Sequence, residues 1–83
     1  MIRVLEETEN GRTIFRIDGQ LDAEGAAVLE QLRDTLGSDV TLNLRNVIGV
    51  DRVGIGTLFQ LVERGANLEN VPPYIAVQLD RQS

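Results

Sequence analysis

This 83-residue chain has no Cys, no His and no Trp. Without Cys there is no disulfide framework and no thiolate metal site. Without His, the commonest general base and the commonest metal ligand are both missing. Lys is absent as well, so all eight basic residues are Arg, which reflects base composition rather than mechanism. No apolar run approaches the roughly 20 residues that cross a bilayer. The opening MIRVLEETENG lacks the apolar core of a signal peptide, so the expected location is cytoplasmic, with no membrane insertion.

What is present is ordinary for a globular protein: 42% hydrophobic and 25% charged residues. The length allows one small domain, residues 1–83, with a stability on the order of 5 kcal/mol. A formal net charge of −5 argues against nucleic acid, which rewards a basic face. A protein partner with a basic surface suits this charge, although a mildly acidic chain is common among intracellular proteins.

Two strand-like runs, Ile2–Glu7 and Arg12–Asp18, flank Asn10-Gly11. That dipeptide is the strongest short hairpin signal, because both central positions of a type I′ turn need positive φ. Gly19 is expected to break the second run. Leu21-Asp22-Ala23 then opens a helix over Leu21–Gly37, with Asp22 suited to the N-cap and Glu24 to the dipole. Val28, Leu29, Leu32 and Leu36 recur at helical spacing, and Gly37 is a natural stop. Gly25 in the first turn costs about 1 kcal/mol relative to Ala.

A third strand is expected over Asp39–Val47, with Val40, Leu42 and Leu44 alternating against Thr41, Asn43 and Arg45. The intervening helix makes its pairing with the hairpin parallel. A second helix runs from about Arg52 to Arg64, its apolar stripe formed by Leu58, Phe59, Leu61 and Val62, and Gly65 ends it. Asn67–Val71 fits a short fourth strand. Tyr74–Asp80 alternates as a strand would, yet the preceding prolines suit a first helical turn, and helix is the preferred assignment. The order is β-β-α-β-α-(β)-(α), an α/β layer of helices on one face of a small mixed sheet.

Two segments carry a family resemblance. GQLDAEGAAVLEQLRDTL is similar to the "G-E-L-D-A" helix opening of STAS domains, the group that includes bacterial anti-sigma factor antagonists. LNLRNVIGVDRVGIGTLFQLVERG resembles that family's "L-D-L-S-x-V-x-x-I-D-S-S-G-L-G-x-L" at identical spacing. Leu21-Asp22, Asp51, Gly54 and Gly56 fall in register with it, and Asn70-Val71-Pro72 resembles the segment after the family's last strand.

The resemblance implies a STAS-like fold and a bacterial protein-interaction module, active in signalling and transcription regulation. It implies docking through the 51–57 corner and the start of the first helix, at Asp22, Asp51, Arg52, Val53, Gly54 and Thr57. In the phospho-switch members a hydroxyl residue precedes the first glycine and is phosphorylated by the anti-sigma kinase. Here Val53 stands in that place and offers no oxygen, while Arg52 brings positive charge, so no phosphoacceptor is expected. The implied partner is an anti-sigma factor of the kinase-like kind. Alternatively the chain is an accessory subunit binding the ATPase of a lipid-transporting ABC complex, since some STAS domains of this size do so. A monomer or weak homodimer without cofactor or metal is expected.

Each residue also has a plainer role. Asp22 and Asp51 suit helix N-caps, Arg52 a solvated surface, and Gly49, Gly54 and Gly56 tight packing. The glycines follow no nucleotide-binding pattern. Thr57 is the nearest hydroxyl to the corner, a weak candidate for an alternative phosphosite. Asp18, Asp22 and Asp51 could converge at one end of the sheet, but no nucleophile with an adjacent base accompanies them, and catalysis is not expected.

Overall fold

A computed structural model describes residues 2–36 and 40–82. The elements run β1 (Ile2–Glu9), β2 (Arg12–Leu21), α1 (Ala23–Leu36), β3 (Thr41–Val50), α2 (Arg52–Glu63), β4 (Asn67–Glu69) and α3 (Pro73–Asp80). The strands form one sheet in the order β1-β2-β3-β4. β1 and β2 are antiparallel, while β2–β3 and β3–β4 are parallel. The hairpin forms as its sequence dictates: Asn10 and Gly11 have φ of 53° and 79°, the positive pair a type I′ turn requires.

The core lies on one face of this mixed sheet. Phe15 and Ile17 of β2 and Leu42, Leu44 and Val47 of β3 share a single cluster with Leu29 of α1, Ile55, Leu58 and Leu61 of α2, and Ile75 of α3. All three helices therefore bury their apolar stripes against the same side. The opposite face is polar. There Arg16 bridges Glu7 and Asp18, at 3.3 and 3.0 Å, Arg12 pairs with Glu69, and Asn46 donates to Asp18. Ile14 and Thr41, paired across β2 and β3, are buried although outside the main cluster. Both sit on central strands, shaded by neighbours on either side.

Several expectations are corrected. Gly19 does not end β2. The strand absorbs it (φ 107°) with register shifts against β3 between Arg16 and Asp18 and between Gly19 and Gln20, and continues to Leu21. Leu21 is thus the last strand residue, and the first helix begins at Ala23. Gly37 and Asp39 lie outside the described residues. β3 starts at Thr41 and runs three residues beyond Val47. In α1 Leu29 is buried but Val28 is 42% exposed, and in α2 Leu58 and Leu61 are buried as expected, together with Ile55, while Phe59 is half-buried and Val62 exposed. The expected stripes hold at Leu29, Leu58 and Leu61, while the flanking residues Val28 and Val62 turn to solvent.

The C-terminal segment follows its prolines. Pro72 and Pro73 start α3, and the Tyr74 hydroxyl donates to the Val47 carbonyl at 2.6 Å, tying α3 to β3 beyond the point where β4 ends. Among the described residues no helix is long and apolar enough to cross a membrane.

Candidate functional site

The parallel pairing of β2 with β3 makes their last residues, Leu21 and Val50, register partners. The residue that follows each strand is an aspartate, and each aspartate caps a helix. The Gly25 N–H donates to Asp22 Oδ1 at 3.1 Å, and the Gly54 N–H donates to Asp51 Oδ1 at 2.8 Å. These bonds satisfy helix-start donors that have no partner within the helix. The two helix starts are joined directly, because the Asp51 N–H donates to the Leu21 carbonyl at 3.2 Å. Between them opens a shallow cleft of about 320 Å³, lined by Gln20, Leu21, Asp22, Gly49, Val50 and Asp51.

The glycines of the corner have different reasons. At Gly54 a Cβ would collide with the Leu21 carbonyl oxygen and sit 2.9 Å from Val50 Cγ2. The first turn of α2 therefore lies against the end of β2, as well as against β3. At Gly56 nothing comes within 4 Å, so this glycine is not demanded by packing.

The expected site residues divide. Asp22 and Asp51 meet across the cleft. Arg52 and Val53 are exposed at the start of α2, Val53 by 51%. Gly54 is buried and contributes backbone only. Thr57 is 6% exposed and turned into the interior, so it offers no docking surface and no hydroxyl that a kinase reaches without local opening. Asp18 does not join Asp22 and Asp51, because Arg16 and Asn46 hold it on the polar sheet face. No group of acidic side chains among the described residues is arranged to hold a metal. Gln20 and Val50 line the cleft without having been singled out, beside Gly49, which had been assigned to tight packing. Their signal was available, because parallel pairing places the residues before both caps together.

The Asp22 carboxyl is held below its usual range, mainly by the Gly25 N–H it accepts. A pKa depressed by folding adds stability above the unfolded value of about 4, and that stability is lost as pH falls through this region. Asp22→Asn keeps a capping oxygen without a titrating proton. Thermal melts from pH 6 down to about pH 3 should therefore decline less steeply for Asp22→Asn than for the parent. Parallel curves would remove Asp22 from the acid response.

No protein-family model matches the chain, and no curated protein sequence does. Solved structures do resemble it. The structure of Mglu matches with a TM-score of 0.63 and 25% identity over 83% of this chain, which spans 19% of that protein. The anti-sigma factor antagonist SpoIIAA, in its unphosphorylated form, matches with a TM-score of 0.67 and 15% identity, covering 93% of this chain and 79% of SpoIIAA. Likeness at that identity establishes architecture, and the four-stranded mixed sheet with its helices on one face is the STAS fold.

Proposed function

We propose that the chain is a single-domain protein-interaction module of the anti-sigma factor antagonist kind, docking its partner through the start of α2. The likeness to SpoIIAA across 93% of the chain carries this reading. The corner supports it: exposed Arg52 and Val53 stand beside the cleft between two capped helix starts. Asp22 and Asp51 supply negative charge there, Val53 an apolar contact, and Arg52 the kind of anchor that interfaces favour. Buried Gly54 lets the helix start lie close to the sheet. With Val53 in the place of the phosphorylated hydroxyl, the module binds without the usual phosphate switch and needs no cofactor. The partner is an anti-sigma factor of the kinase-like kind.

Arg52→Glu tests the surface. It should weaken binding to such a partner by about 2 kcal/mol or more while moving stability by only about 0.5 kcal/mol. Calorimetric titration of parent and variant, with melting curves run in parallel, measures both. Equal affinities with equal melting temperatures would move the docking surface elsewhere. Val53→Ser should create a phosphoacceptor for the same kinase, read by intact mass. Binding to an ABC ATPase instead would make the chain a transport accessory subunit.

A further inference from the structure

β1 is an eight-residue edge strand, paired with β2 on one side and with no described element on the other. An open edge presents unpaired N–H and C=O groups to any strand that can match them. We propose that this edge is the site of self-association: two copies pair their β1 strands antiparallel about Leu5, joining two four-stranded sheets into one of eight. The proposal does not depend on the docking corner, which lies at the ends of β2 and β3.

The hairpin limits how β1 can pair. A two-residue turn closes on a hydrogen-bonded pair, here Glu9 and Arg12, and such pairs alternate along an antiparallel ladder. Arg3, Leu5, Glu7 and Glu9 therefore direct their backbone groups at β2. Ile2, Val4, Glu6 and Thr8 direct theirs outward. A second β1 must place these even-numbered residues opposite one another, which excludes every odd register.

Side-chain charge selects among the registers that remain. Pairing centred on Leu5 sets Ile2 opposite Thr8, Val4 opposite Glu6, and Arg3 opposite Glu7, each pair occurring twice by symmetry. Arg3 is the only basic residue of the strand, and here both copies find a carboxylate. Shifting the centre to Glu6 sets two glutamates face to face, and shifting it to Val4 sets Arg3 opposite Leu5 and shortens the ladder. Opposite charges directly across a strand pair stabilise it, and like charges destabilise it. The ladder also continues charges already present. Arg3 is the register partner of Asp18, and Glu7 lies 3.3 Å from Arg16, so signs alternate across the joined polar face.

An apolar strip runs along the other face of the same edge. Ile2 and Val4 are partly buried against the core, and Ile2 packs under the first turn of α1, with its Cγ2 3.1 Å from a Cβ built at Gly25. Val28 lies one turn on from Gly25, on the flank away from buried Leu29, and is exposed. In the register centred on Leu5 the second copy sets its Thr8 opposite Ile2 and its Glu6 opposite Val4 on this face, so the charge pairs of the other face select the register.

The test is sedimentation of the full chain over a concentration series, with amide exchange measured in parallel. The 9.2 kDa chain should approach twice that mass as concentration rises. The amides of Val4 and Glu6 should become protected over the same range. Arg3→Glu should weaken association by about tenfold or more, and adding Glu7→Arg should restore it, because the swap returns the charge pair in reverse. Glu6→Pro removes one outward donor and none of the β2 ladder, so it should abolish the dimer while circular dichroism stays that of the parent. A chain that stays monomeric into the millimolar range would overturn the proposal. So would a dimer indifferent to Arg3→Glu and Glu6→Pro, or one whose protected amides lie elsewhere.

Discussion

Gly54→Ala should cost about 3 kcal/mol or more, enough to unfold a large share of a protein this size at ambient temperature. The added methyl meets the Leu21 carbonyl oxygen, with Val50 Cγ2 and Leu21 Cγ closing the remaining space. The first obstacle is backbone held in the sheet, so no side-chain rotation relieves it. Relief requires α2 to lift from β2, which breaks the Asp51 N–H bond to the same carbonyl. Gly56→Ala, two residues along the same helix, is the control. It meets nothing within 4 Å and should stabilise by about 0.5–1 kcal/mol through helix propensity. Denaturant melts of the two variants should move in opposite directions. Movement in the same direction would mean that α2 does not lie against Leu21 as described.

Leu44→Ala should cost about 3 kcal/mol. Leu44 is fully buried, on a strand flanked by β2 and covered by the helices. Its removal takes away transfer energy and leaves a cavity whose walls belong to several elements, so the site cannot collapse by moving one of them. The melting temperature should fall by more than ten degrees, taking about 4–8 °C per kcal/mol for a domain of this length. A fall of a degree or two would mean that the inward face of β3 is misassigned.

Much of this architecture was legible because it is locally encoded. Asn10-Gly11 requires positive φ whatever the rest of the chain does, and the adjacent prolines settle α3 against the alternating pattern of Tyr74–Asp80. The strand faces of β2 and β3 follow from a period of two, in which one misplaced residue would invert every side chain. Helix phase is less well determined. Val28 beside Leu29, and Val62 beside Leu61, lie at the margin of the stripe, and only the partner surface decides whether the margin is buried. Gly19 looked like a stop because a bulge and a strand end share the same residue preference.

The site was legible to a different degree. Both caps could be placed from Asp22 and Asp51 at the starts of apolar-periodic runs. Gly54 and Gly56 are indistinguishable in the sequence, and what separates them is a carbonyl more than thirty residues earlier in the chain. Thr57 fell within the expected corner by linear distance, but the helix turns it inward. Nearness along the chain does not give the side of a helix.

The Leu21 carbonyl receives the Asp51 N–H and closes the space over Gly54. Leu21 is also the residue immediately before Asp22, the cap of α1. The two helix starts are therefore one mechanical body, pinned through a single peptide group. Force applied at Arg52 has a short path to the root of α1, through that hydrogen bond and the Gly54 contact. Whatever grips one helix start takes hold of the other.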